Sequence, residues 1–170
     1  LYLAQSLGEV WKSGNNVFLC GNGGSAGNAI HIANDFLYGI GNCGKGSKIP
    51  GIRVSALSAN PAILTCLGND IGFENIFSYQ LKVKSKKNDL LIALSGSGNS
   101  PNVISAINTA NQIGLKTFAI LAFDGGKCND IVNYPLHFNI NDMQIAEDLQ
   151  LIIGHLCMQW LSNNKSEFFG

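Results

Sequence analysis

Residues 90–114 read LLIALSGSGNSPNVISAINTANQIG. Five uninterrupted apolar residues, Leu90 to Leu94, follow Asp89. Such a run is the pattern of a strand covered on both faces, as in a parallel sheet. Ser95 to Ser100 is then a Ser/Gly loop. Pro101 suits the first turn of a helix, which runs to about Ile113 and ends at Gly114. A doubly covered strand, a small-residue loop and a helix form the repeating unit of an α/β protein.

The unit recurs on both sides. Upstream, Val17 to Cys20 is a short apolar run ending in Gly21-Asn22-Gly23-Gly24-Ser25. From Ser25 to Phe36, Ala29, Ile30, Ala33 and Phe36 follow helical spacing. The segment 39–51 is rich in Gly, Asn, Lys and Pro and reads as a loop. Ile52 to Leu57 reads as a strand, and Asn60-Pro61 starts a short helix that stops near Gly68. A second short helix is expected over Asn75 to Leu81. Downstream, Lys116 to Leu121 and, more weakly, Tyr134 to Ile140 read as strands, and Glu147 to Leu161 as the last helix. Leu1 to Val10 reads as a helix already under way, its beginning expected to lie before Leu1. These elements predict a single domain over residues 1–170, α/β in class, with a mostly parallel sheet between helices.

Composition narrows the function. Eleven basic residues balance eleven acidic ones, and only 13% of the chain is charged. The one arginine is Arg53, and the only basic cluster, Lys82, Lys84, Lys86 and Lys87, reads as a solvated face. No nucleic-acid partner is expected, since gripping backbone phosphates calls for a basic patch. No apolar run is long enough to span a bilayer. Five cysteines, Cys20, Cys43, Cys66, Cys128 and Cys157, lack CxxC spacing. Free, mostly buried thiols in a reducing cytoplasm fit them. So few charges on a small domain also point to surface buried between subunits.

In parallel sheets ligands bind beyond the carboxyl ends of the strands. Two such ends here meet small-residue loops, Gly21 to Ser25 and Ser95 to Ser100. Glycine allows close backbone approach, and a helix start offers free N–H groups and partial positive charge. Gly21, Gly23 and Ala26 match a GxGxxA spacing, but Ser55-Ala56-Leu57-Ser58 ends the next strand without the acid a dinucleotide fold needs. No nucleotide cofactor is therefore expected. Gly39, Gly44 and Lys45 approach a Walker pattern, but Gly46 stands where Ser or Thr is required. The Ser95–Ser100 loop, with three hydroxyls ahead of a helix, can cradle a phosphate without arginine.

Acid–base candidates are few. His31 and Asp35 lie four apart and share a helix face. Glu147 and His155 lie eight apart, which is about 12 Å of helix rise, so both reach one metal only if their side chains converge. Together they could make a zinc site or a proton-transfer site. His137 and Cys20 receive no chemical role.

Gly21 to Ser25, His31, Gly68-Asn69-Asp70, Ser95 to Ser100, Asp124-Gly125-Gly126-Lys127 and His155 come in the order of a sugar isomerase (SIS) domain. The chain is most similar to the phosphoheptose isomerase family, from about Val17 to Leu161. The resemblance implies a three-layer, flavodoxin-like α/β/α sandwich. It implies an aldose–ketose isomerase interconverting sedoheptulose 7-phosphate and D-glycero-D-manno-heptose 7-phosphate, toward bacterial lipopolysaccharide or capsule. It implies a homotetramer with sites at subunit interfaces, and one zinc per subunit in some members.

Residue by residue, the resemblance puts phosphate and substrate contacts on Asn22, Gly23, Ser25, Asn69, Asp70, Ser95, Gly96, Ser97 and Ser100. It makes Asp35, Glu147 and His155 catalytic and His31, Asp35, Glu147 and His155 metal ligands. Asp35 stands where the family has Glu, Glu147 where it has Gln, and Gly39 where close relatives have Arg. Either Asp35 or Glu147 could be the base. The alternatives are an isomerase for another phosphosugar and a non-catalytic module resembling the DnaA initiator-associating factor, which lacks the equivalent of His155.

Overall fold

The computed structural model describes residues 1–40 and 49–169. The order is α1 (Tyr2–Ser13), β1 (Asn16–Gly21), α2 (Gly23–Asn34), a π-helical turn (Asp35–Gly39), β2 (Arg53–Ala56), α3 (Pro61–Ile71), a 3-10 turn (Phe73–Asn75), α4 (Ser78–Lys84), β3 (Leu90–Ser95), α5 (Pro101–Ile113), β4 (Lys116–Leu121), α6 (Gly126–Ile131), β5 (Tyr134–His137), α7 (Met143–Asn163) and α8 (Lys165–Phe169).

The five strands form one sheet in the order β2-β1-β3-β4-β5. Every pairing is parallel. Strand β3 is central, and all six of its residues are buried. Its side chains alternate between two cores, as the two-residue period of a strand requires. Leu90, Ile92 and Leu94 join Leu7, Ile32, Phe36 and Leu161 beneath α1, α2 and α7. Leu91 and Ala93 join Leu81, Val103 and Ile107 beneath α4 and α5. Burying each such side chain contributes about 1.5–3 kcal/mol, and burial on both faces explains the unbroken apolar run. The edge strands β2 and β5 have partly exposed residues throughout.

The expected strand–loop–helix unit at residues 90–114 is present, with Pro101 in the first turn of α5 and Gly114 in the left-handed conformation at its end. Several boundaries differ. Helix α3 runs past Gly68 to Ile71, because the positive φ that ends it falls at Gly72. Helix α4 begins at Ser78 rather than Asn75, which belongs to the 3-10 turn. Strand β5 stops at His137 rather than Ile140. Helix α7 starts at Met143, earlier than expected, because Asp142 caps it with a 3.1 Å bond from the Ile145 N–H. Helix α6 has six residues, too few for a periodic pattern to register.

The strand order reverses direction between β1 and β3, where their following helices leave on opposite faces. That crevice is the place in an open parallel sheet where ligands bind.

Candidate functional site

The crevice holds a cleft of about 240 Å³ walled by the β1–α2 loop, the β3–α5 loop and α7. Its two helix starts are not closed by their own caps. Asn22 is the N-cap of α2 but makes no capping bond. Its amide instead forms a reciprocal pair with Asn102, both bonds 2.8 Å, across the crevice. Ser100 is the N-cap of α5 and likewise makes no side-chain cap. Uncapped helix starts present N–H groups and partial positive charge, the requirements of an anion site without arginine. Ser95 Oγ accepts from the Gly98 N–H at 3.1 Å, and Ser97 Oγ accepts from the Asn99 N–H at 3.3 Å. These bonds shape the loop and leave both hydroxyl protons available.

Asn22, Gly23, Ser25, Ser95, Gly96, Ser97, Ser100 and Glu147, expected from the sequence, all line this cleft. The Glu147 carboxylate lies directly over Gly24, in the space a Cβ at position 24 would occupy. The glycine is therefore required by close approach.

Farther along α2 and α7, His31, Asp35 and His155 converge. The two Nε2 atoms are 3.0 Å apart. Asp35 Oδ2 lies 3.5 Å from His31 Nε2 and 3.4 Å from His155 Nε2. Two ring nitrogens facing each other need a proton or a cation between them. Two imidazoles and a carboxylate, with ligand atoms all within 4.8 Å, suit zinc. The convergence depends on Gly154, beside His155. A Cβ there would stand 2.7 Å from Ile32 Cγ1. Its absence lets α7 approach α2 closely enough for the histidines to meet.

Glu147, expected as a fourth ligand, is not in that group. It stays at the end of α7 that lines the cleft, as the long rise between positions 147 and 155 dictates. Asn69 and Asp70 do not reach the cleft of their own chain. They are exposed on α3, joined by a 2.8 Å bond from Asn69 Nδ2 to Asp70 Oδ1. Gly44, Lys45, Gly46 and Cys43 lie outside the described residues. His137 bonds the Phe123 carbonyl at 3.0 Å.

Sequence reasoning missed Asn28, Asn102, Gln150 and Gly154. The signal for Asn102 and Gln150 was an amide at a helix position that packing buries. Among the described residues Cys20, Cys66, Cys128 and Cys157 are free thiols. Burial pushes Cys128 and Cys157 up to about 11 and Cys20 higher still, so these three are poor nucleophiles. No helix among the described residues is long and apolar enough to cross a membrane.

Residues 2–122 match the family described as SIS domain. A phosphoheptose isomerase of Aliarcobacter butzleri is 37% identical over 158 residues, covering 93% of this chain and 81% of its own. One from Trichlorobacter lovleyi is 37% identical over 154 residues, covering 91% and 76%. The structure of a phosphoheptose isomerase from Neisseria gonorrhoeae superimposes with a TM-score of 0.86 at 26% identity, covering 95% of this chain and 83% of that one. The two-loop crevice, the converged histidines and these similarities lead to one conclusion: the chain belongs to the SIS domain family and, within it, to the phosphoheptose isomerases.

Proposed function

We propose that the protein interconverts sedoheptulose 7-phosphate and D-glycero-D-manno-heptose 7-phosphate, an early step toward bacterial surface heptoses. The observation that carries this reading is the placement of two polar centres along one pair of helices. Ser25 and His31 are six residues apart on α2, about 9 Å of rise. That separation suits an extended sugar with phosphate at one end and carbonyl at the other.

The phosphate binds at the starts of α2 and α5, where Ser25, Ser95, Ser97 and Ser100 donate hydrogen bonds. Asp35 meets both imidazoles through Oδ2, so Oδ1 remains to take the proton from C1 of the ketose. His155 gives a proton to O2 as the enediol forms and takes one back from O1, while Asp35 returns its proton to C2, which leaves the aldehyde at C1. Glu147 faces the cleft from the phosphate side, outside the His31–Asp35–His155 group, which favours Asp35 over Glu147 as the base. His31, Asp35 and His155 would hold a zinc ion, which when bound polarises the carbonyl and hydroxyl oxygens.

The active unit is a homotetramer with sites at subunit interfaces. Leu37, Tyr38, Ile152 and Leu156, on the elements that bear the cluster, are each half or more exposed, an apolar rim suited to a second copy. In such an assembly Asn69 and Asp70 serve the cleft of a neighbour. Free thiols suit the cytoplasm.

The test is incubation of the purified protein with sedoheptulose 7-phosphate, with and without a chelator, and detection of the aldose. Aldose formation supports the reading, and its loss with chelator supports zinc. Turnover of another phosphosugar in its place, or of none, overturns it.

A further inference from the structure

We propose that Asn28 and Gln150 are positioning residues that fix the Ser25 hydroxyl as a hydrogen-bond donor to the substrate phosphate. The proposal rests on the phosphosugar reading of the cleft. The main-chain oxygen of Glu147 can only accept. Asn28 Nδ2 lies 2.9 Å from the main-chain oxygen of Glu147. A carbonyl has no proton to give, so the Asn28 atom facing it is the nitrogen. The same nitrogen lies 3.0 Å from Gln150, and the Gln150 atom that faces it must be the oxygen, Oε1. Gln150 therefore turns its other amide atom, Nε2, toward Ser25 Oγ at 3.0 Å. Ser25 accepts that bond. Its own proton makes no hydrogen bond to any of the described residues and remains for a group in the cleft it lines.

The environment makes this order persistent. Gln150 is 1% exposed and Ser25 is 5% exposed, so water does not compete for their bonds. Asn28 Nδ2, Gln150 Oε1 and Gln150 Nε2 are each used with the correct polarity. The dianionic phosphate of a sugar phosphate offers acceptors only, so a hydroxyl whose lone pair is already engaged meets it as a donor without reorienting. Placing Ser25 at the first turn of α2 adds its donor to the uncapped N–H groups beside it. The relay also begins on α7 at Glu147, which ties the cleft's far wall to the glycine loop.

The experiment is a double-mutant cycle of Gln150→Met with Ser25→Ala, in the full chain. Two readouts are used: the Kd of inorganic phosphate by calorimetry, and kcat and KM for sedoheptulose 7-phosphate. Gln150→Met is expected to raise the phosphate Kd and the sugar KM about threefold to tenfold, with the loss in KM rather than kcat. In the Ser25→Ala background it is expected to add nothing. An equal rise in both backgrounds, or no rise in either, overturns the proposal. If Gln150→Met does not fold, Asn28→Ala, which keeps Gln150 and Ser25, is read by the same cycle with the same criteria. A wild type that binds phosphate but does not turn over the heptulose sinks the substrate reading, while the cycle on phosphate Kd still decides the relay. A wild type that binds no phosphate overturns the relay.

Discussion

Among the described residues, the starts of α2, α3, α5 and α7 carry an N-cap side chain able to cap, and they divide into two kinds. Helices α3 and α7 close themselves: Asn60 accepts from the Ile63 N–H and Asp142 from the Ile145 N–H, both at 3.1 Å. Helices α2 and α5 begin with residues of the same capping types, Asn22 and Ser100, and neither side chain caps. The difference is location. The uncapped pair flanks the crevice between β1 and β3, where Asn22 is held by Asn102 instead. A cap stabilises a helix by about 1 kcal/mol, and leaving it off at two adjacent starts makes sense where a ligand supplies the missing acceptor. Composition follows from this. Under the proposed function, a phosphate held by hydroxyls and helix starts needs few basic residues, which fits a chain with one arginine.

The largest effect that could break the comparison is at the uncapped starts. Hydrogen bonds to a charged group contribute about 1.5–3 kcal/mol each. Ser97→Ala combined with Ser100→Ala should therefore raise KM about a hundredfold or more while leaving Tm near the wild-type value. A large fall in Tm with KM unchanged would make these serines structural.

Gly154→Ala tests the chemical end of the same helices. Its Cβ would meet Ile32 Cγ1 at 2.7 Å, so α7 must move away from α2 or Ile32 must shift. Either change disturbs the His31–His155 contact, and kcat should fall about tenfold to a hundredfold. Zinc affinity, followed by competition with a chromophoric chelator, should fall with it. Unchanged kcat would separate the glycine from the cluster.

The smallest effect belongs to a self-capped start. Asp142→Ala removes the α7 cap and should cost about 1 kcal/mol, or roughly 2–4 °C in Tm, with KM unaltered. A rise in KM comparable to that of the serine variant would erase the distinction between the two kinds of helix start.

Much of the fold was legible because its signals are local. The apolar run Leu90–Leu94, Pro101 and Gly114 each act within one turn or strand, and all three keep their expected roles. The strand order was not legible, since pairing β1 with both β2 and β3 joins residues far apart in sequence. At the site, the spacing of His31 and Asp35 marked a shared face, and the family resemblance supplied His155. Gly154 gave no readable signal, and the amides of Asn102 and Gln150 became one only once packing buried them. A glycine inside a helix, or a buried amide, acquires meaning only when a second helix lies against it. Glu147 and His155 show the converse: counting residues along α7 already set them too far apart for an easy shared metal, and they fall in two different centres.

The central claim is that the phosphate end binds and the histidine end reacts. Steady-state kinetics of His155→Ala on sedoheptulose 7-phosphate test it most directly. The account predicts a fall in kcat of at least about a hundredfold, with KM and Tm near wild type. A kcat within a few-fold of wild type, or a loss residing in KM, would contradict it.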